Sequence, residues 1–197
     1  MRTMECPSSS IAGLRVVPLT AADEPAVQAF FEANPGYFMT CNGEPPRPSE
    51  AQEELSGDVP PEFAYRQRWI WGYVDAQGSL VALVNTLADL WAPGVWHIAF
   101  FIVASSRHGS GDAGLIHQDI ERWAQANGAQ WMRLVVVQGN HKAERFWAKT
   151  GYQQTRTREG IEMGKRVNTL RMMIKPLEGR TVEAHLERVP RDRPNAE

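Results

Sequence analysis

Nine consecutive residues near the middle of the chain, Val95-Trp96-His97-Ile98-Ala99-Phe100-Phe101-Ile102-Val103, are apolar or aromatic at every position but one. A run so rich in branched and aromatic side chains predicts a buried strand. The next residues narrow the fold further. His108-Gly109-Ser110-Gly111-Asp112-Ala113 is a glycine turn, and beyond it Leu115, Ile116, Ile120, Trp123 and Ala124 recur at the three- and four-residue steps of an amphipathic helix. A strand that feeds a glycine turn opening a helix points unsatisfied backbone N–H groups, and the positive end of a helix dipole, at one spot. That arrangement suits an anionic phosphate.

Downstream, Asn127-Gly128 ends the helix and Trp131-Met132-Arg133-Leu134-Val135-Val136-Val137 reads as a second buried strand. Asn140 stands where a helix N-cap belongs, ahead of Ala143, Phe146 and Trp147 on one face, and Gly151 stops that helix before Tyr152. The order is strand, phosphate turn, helix, strand, Asn-capped helix, strand. Over residues 95–152 this resembles the core of the GNAT superfamily of acyl-CoA-dependent N-acetyltransferases. The glycine turn matches that family's phosphate turn at all but its first position. Asn140, Ala143, Phe146-Trp147 and Thr150-Gly151-Tyr152 echo its second signature.

The resemblance implies an α/β (α+β) fold of GNAT type, a mixed, mostly antiparallel central sheet flanked by helices, with acetyl-CoA as co-substrate. It implies that the turn from His108 through Gly109, Ser110, Gly111 and Asp112 to Ala113 cradles the pyrophosphate. It further implies that the main chain of Phe101, Ile102 and Val103 holds the pantetheine arm, on an edge freed by strands splaying after Val103. Asn140 is implied to contact the cofactor as well as cap a helix, and Trp147 to pack along the pantetheine or fill core. Three residues depart from the family pattern. His108 stands where Arg or Gln is usual, Asp112 sets a carboxylate beside a pyrophosphate, and Trp147 replaces a tyrosine that in many members protonates the departing thiolate. An indole N–H donates hydrogen bonds but is no general acid near neutral pH.

From the residues themselves, His97 is the first candidate for the proton-abstracting base, being the one titratable side chain in an apolar strand. A lone His among Trp and Phe is also read as a hydrogen-bonded core residue. Asp89, just before Trp91, is the second candidate, or merely ends a strand; a water relay is a third route. His117 is read as structural, and His141 and His185 as surface residues. No metal site is indicated, because Cys6 and Cys41 lie far apart with no CxxC and no matching His pair.

The 197 residues, 43% hydrophobic, suffice for one sizeable core. Residues 1–12 read as a disordered leader, 13–177 as a single domain and 178–197 as a flexible tail. Leu14–Leu19 makes a short strand. Thr20-Ala21-Ala22-Asp23 has the spacing of a capping box, and a second box spans Ser49 to Gln52 within an irregular excursion from Tyr37 to Pro61. Gln67–Val74, Ser79–Leu87 and the strand from Val95 form a meander. Gln153–Arg158 and Asn168–Ile174 pair as a hairpin around the polar stretch 159–167.

A formal charge of −2 with no basic stripe gives no case for nucleic acid. No segment is long and apolar enough to span a bilayer, so no membrane is indicated and the expected location is cytoplasmic. The expected partner is a small-molecule amine, acetylated by direct attack in a ternary complex; a homodimer through the central strands or the hairpin is compatible with the pattern. The six carboxylates between Glu44 and Glu62 would steer a cationic amine, or else form a solvated acidic face. Tyr37, Phe38, Trp69, Trp71 and Trp91 could wall an amine site or fill core. The three departures together motivate an alternative, an acyl-CoA-binding module without catalysis.

Overall fold

The computed structural model describes residues 5–57 and 59–196. Residues 1–4 of the expected leader, Asp58 of the acidic excursion and Glu197 lie outside the described residues.

Seven strands form one sheet. They are β1 (Arg15–Pro18), β2 (Gln67–Val74), β3 (Leu80–Ala88), β4 (Val95–Val103), β5 (Trp131–Val137), β6 (Gln153–Met163) and β7 (Arg166–Pro176), in the spatial order β1-β2-β3-β4-β5-β7-β6. Every neighbouring pair is antiparallel except β4 and β5, which run parallel. Parallel neighbours need a crossover connection, and the helix α4 (Asp112–Ala126) supplies it.

Helix α4 and α5 (His141–Lys149) cover one face of the sheet, where Ile116, Ile120, Trp123 and Trp147 pack on Trp96, Ile98 and Leu134. The helices α1 (Glu24–Ala33), α2 (Gly36–Cys41) and α3 (Glu50–Ser56) cover the other, with Val27, Phe31, Phe38 and Ala51 against Ile70, Leu83 and Ile102. Thr20 closes the expected capping box with Asp23, whose carboxylate accepts from Thr20 N at 2.8 Å. The second box does not form. Ser49 Oγ turns instead to Glu53 Oε1 at 2.8 Å, and α3 starts without a side-chain cap.

One irregularity in β4 decides where the sheet opens. Asn85 of β3 pairs with Phe100 but its neighbour Thr86 pairs with Ile98, so Ala99 is an extra residue, a β-bulge. An inserted residue reverses which face each later side chain meets. Trp96 and Ile98 face α4 before the bulge; after it Phe101 and Val103 face α4 and α5, while Phe100 and Ile102 face α1 and α2. Pairing with β5 also stops there, at Ile98↔Leu134. The two halves of the sheet therefore diverge five residues before the end of β4, not after Val103, and leave a wedge between Ala99–Val103 and the far end of β5.

Three regions differ from the sequence expectation. The polar stretch 159–167 is not a loop: β6 and β7 continue through it to a tight turn at Gly164-Lys165, with Met163 paired to Arg166. Gly164 takes φ +56°, and a Cβ there would lie 2.7 Å from Asn42 O, because the hairpin tip docks on the end of α2. Only glycine fits that approach. The leader, over residues 5–12, is tied to α4: Trp123 Nε1 donates to Glu5 O at 2.8 Å and Ser10 N to Asp119 Oδ2 at 3.0 Å.

The tail holds a helix, α6 (Val182–Arg188), capped by Thr181, and its residues His185, Val189 and Asp192 are fully buried. Val189 packs on Trp131 and Ile174. The expectation of a surface position for His185 is corrected: Asp192 accepts from its ring at 2.8 Å and so stabilises its burial.

Candidate functional site

The wedge opens into a cleft of about 1810 Å³ that runs from the glycine turn, past the open edge of β4, to α2, the β6–β7 hairpin and the C-terminal segment. At the turn, Gly109 and Gly111 take φ +88° and +93°, and a Cβ on either would meet nothing within 4 Å, so the cradle is open to solvent. Among the described residues the amides of Gly109, Gly111 and Ala113 have no intramolecular acceptor, whereas Asp112 N donates to Ser110 Oγ at 3.2 Å. Unpaired amides at the first turn of a fifteen-residue helix are donors of the kind that suit an anion.

The departures at His108 and Asp112 are accommodated by their neighbours. Asp112, the first residue of α4, pairs with Arg107 Nη1 at 2.8 Å, so its charge is met locally instead of repelling an incoming anion. His108 Nε2 donates to Val103 O at 3.0 Å while its Nδ1 accepts from Lys142 Nζ at 2.6 Å. These two contacts orient the ring and place the Lys142 amino group beside the turn. A positive charge from α5 thus stands beside the turn. Asn140 caps that helix, accepting from Ala143 N at 3.3 Å, and it also lines the cleft.

Ladder geometry decides which β4 main-chain groups are available. Ala104 N donates to Val81 O at 2.8 Å, so by alternation Ile102 bonds toward β3, while Phe101 and Val103 present N–H and C=O to the wedge. The expectation for the main chain of Ile102 is therefore corrected: its groups are occupied by β3. Val103 O is already the acceptor for His108. Trp147 is buried, with its ring centroid 5.3 Å from that of Phe101, and borders the cleft at the apex of the wedge.

Neither base candidate is free to act. His97 lines the cleft, with Nδ1 3.1 Å from Arg133 O and 3.3 Å from Arg133 Nη1. Burial, and then the adjacent Arg133 guanidinium, lower its pKa to about 3. A group whose conjugate acid is so strong does not hold a proton taken from an amine. Asp89 sits in a turn, Oδ2 ion-paired with Arg66 at 2.5 Å and Oδ1 accepting from Gly94 N at 2.8 Å, and is not among the residues that line the cleft. Both are structural in this fold.

His117, 3.1 Å from the Tyr152 hydroxyl, is likewise lowered to about 3, by burial and then by Lys175. Both histidines stay neutral in the fold while their unfolded counterparts titrate near 6.5. Stability is therefore full above that pH and falls as pH drops below it, by about 1.4 kcal/mol per pH unit for each histidine. Urea unfolding at pH 7.0 and pH 5.5 is expected to show this loss, and His97→Gln with His117→Gln to flatten it. The same His97→Gln variant is expected to keep the acidic limb of any pH–rate profile.

Apart from Tyr37 and Trp91, the residues of the far end of the cleft escape the sequence reading. Arg133, on β5, is buried and gripped by Asp192, with Nε–Oδ2 and Nη2–Oδ1 both 2.9 Å; Oδ2 also accepts from His185 Nε2 at 2.8 Å. Trp91, at φ +62°, lies between two guanidinium groups, Arg133 at 4.7 Å and Arg191 at 3.9 Å from its centroid. A bulky residue in the left-handed region is strained. Its indole is held by Nε1 donating to Glu62 O at 2.9 Å.

Of the aromatic residues that could wall an amine site, Tyr37 and Trp91 line the cleft and Phe38, Trp69 and Trp71 belong to the core. Four acidic residues of the excursion are paired with basic side chains, whereas Glu62 lies close enough to Arg191 to act on its charge. Glu50 and Glu53 pair with Arg47, Glu44 with Lys165 and Glu54 with Arg68.

The sequence pattern of the Acetyltransferase (GNAT) family matches residues 26–152. The chain belongs to that family. An acetyltransferase from Thermus thermophilus superposes with a TM-score of 0.66 at 21% identity, covering 85% of this chain and 99% of that one. A GNAT-family acetyltransferase from Streptococcus pneumoniae gives 0.59 at 18%, covering 83% and 99%. Spermidine N-acetyltransferase from Vibrio cholerae, in complex with CoA and spermine, gives 0.63 at 17%, covering 84% and 96%. No curated protein matches the sequence. This GNAT acetyltransferase thus has the mixed, mostly antiparallel sheet its sequence implies. No helix among the described residues is long and apolar enough to cross a membrane.

Proposed function

We propose that this GNAT acetyltransferase transfers the acetyl group of acetyl-CoA to the primary amine of a small molecule, by direct attack within a ternary complex. The observation that carries this reading is the continuity of one cleft, in which the phosphate turn and the open edge of β4 lead to a separate, aromatic and arginine-lined end. Acetyl-CoA supplies an activated thioester. The amides of Gly109, Gly111 and Ala113, with Lys142, hold its pyrophosphate. The main chain of Phe101 aligns the pantetheine along the wedge and polarises the acyl carbonyl.

With His97 and Asp89 occupied structurally, the amine loses its proton to water in the cleft. Trp147 offers packing and no proton, so the thiolate is protonated through the same water. A primary ammonium gives up two protons on becoming an amide N–H: as the N–C bond forms and the C–S bond breaks, one ends on the departing sulfur, and the other leaves through the cleft water to bulk solvent. Glu44, Glu50, Glu53 and Glu54 are held by Lys165, Arg47 and Arg68 and are not called on to recruit the amine. Nothing in the cleft favours a binding module without catalysis, since the departures at His108 and Asp112 are each compensated by a neighbour.

Calorimetric titration with acetyl-CoA, followed by thiol release with a panel of amines, tests the reading. Micromolar affinity with turnover of at least one small amine is expected. Binding without turnover of any amine would overturn it in favour of the binding module; absence of binding would overturn the cofactor site itself.

A further inference from the structure

The acceptor end of the cleft carries an unusual charge. Arg133, Arg156, Arg158 and Arg191 line it, and Asp192 is the one carboxylate among all the described residues that line the cleft, in a chain whose net charge is −2. Asp192 is already saturated by Arg133 and His185. Among the described residues, Arg156, Arg158 and Arg191 have no carboxylate partner. Arg156 Nη1 donates to Arg191 O at 2.6 Å, but its Nε is buried with no acceptor. A buried guanidinium N–H left without a partner costs free energy that a bound acceptor atom would recover.

These cations also oppose one another. Burial, and then the nearby Arg133 and Arg158, push the Arg191 pKa down. Asp192 and Glu62 offset part of this repulsion, and because arginine does not lose its proton at working pH, a bound anion would relieve what remains. The cluster is distinct from the phosphate turn: Val103, where β4 meets His108, is six residues from His97, which bonds Arg133. Six residues of strand span about 20 Å. Lys142 and Arg145, which lie on α5, border the other end.

From this juxtaposition we infer that the acceptor is an amine carrying an anionic group, a carboxylate held by the Arg156–Arg158–Arg191 fork, and not a polyamine. The inference rests on the acetyl transfer proposed above and names the substrate class for it. Guanidinium pairs recognise a carboxylate through two parallel N–H···O bonds. The Trp91 ring, with the Arg191 guanidinium carbon 3.9 Å from its centroid, helps to position that cation. A polyamine would bring positive charge into a cluster that already repels itself.

Matched acceptors separate this inference from the transfer reaction. Glutamate, methionine and phenylalanine are compared with their methyl esters and with spermidine, by thiol release from acetyl-CoA. The esters carry the less basic amine, so any preference for the free acids reports recognition. At least tenfold higher kcat/KM for the acids is expected, and Arg158→Gln, an exposed position, should reduce that preference about tenfold while altering the esters less than twofold.

Turnover of esters or spermidine as good as that of the acids would overturn the inference and leave the transfer reaction standing. Should no amine turn over, saturation-transfer NMR of N-acetylmethionine and its methyl ester against the CoA-loaded protein decides. Binding of the acid alone supports anion recognition without the transfer reading, and binding of neither or of both overturns it.

Discussion

Asp192→Ala is expected to lower the free energy of unfolding by about 3–5 kcal/mol, because it leaves Arg133 as an uncompensated charge in the core. Arg133 retains 4% of its exposure and Asp192 1%, so the pair is largely desolvated although it borders the cleft. Against a typical total of roughly 5–15 kcal/mol, this brings the protein close to unfolding. Urea denaturation monitored by tryptophan fluorescence measures it, since Trp131 packs on the same segment. The double variant Arg133→Met with Asp192→Leu should recover most of the loss, because it removes both charges.

The pH dependence has a definite sign. Burial raises the Asp192 pKa, but the hydrogen bonds from His185 and Arg133 outweigh it and hold the carboxyl well below the usual range. Its contribution is full above the unfolded pKa of about 4 and disappears as pH falls below it. The gap between the native protein and Asp192→Asn should therefore close in acid. A loss under about 1 kcal/mol at pH 7, the scale of an exposed pair, would show that the pair is not desolvated.

Gly114→Trp is expected to weaken acetyl-CoA binding at least 100-fold, or about 2.8 kcal/mol, with the urea midpoint unchanged. Gly114 lies in the first turn of α4 and lines the cleft, and a Cβ there meets nothing within 4 Å. An indole can therefore enter the cradle without displacing core. Gly111→Trp would block the same space but adds the strain of a side chain at φ +93°, roughly 1–2 kcal/mol. Unchanged affinity in Gly114→Trp would remove the phosphate assignment from this turn.

Legibility in the sequence varies along the chain. The segment from Val95 to Tyr152 is legible because local rules coincide there: apolar runs, positive-φ glycines and an Asn cap all specify the same elements. The acceptor end is not, since it is built from residues that look like solvent-facing polar chain. His185 and Asp192 are buried only because each satisfies the other and Arg133, and pairing across 59 residues leaves no periodic trace. The hairpin tip is hidden for a similar reason. Its polar stretch is strand because Gly164 docks on Asn42, a contact absent from any local window. His97 is as unusual as its sequence context suggests, yet it is no base: its neighbour across the parallel pair, Arg133, adds to burial in suppressing its basicity.

The single extra residue at Ala99 also implies a compromise between persistence and use. A regular β4 could have continued its ladder along β5 as far as Val137, adding rungs and a more complete sheet. Such a chain would outlast this one in a heat trial and have nowhere to admit a thioester. Selection for durability alone would heal the defect, so variants evolved for thermal tolerance without an activity screen should accumulate changes that tighten this junction at the expense of turnover.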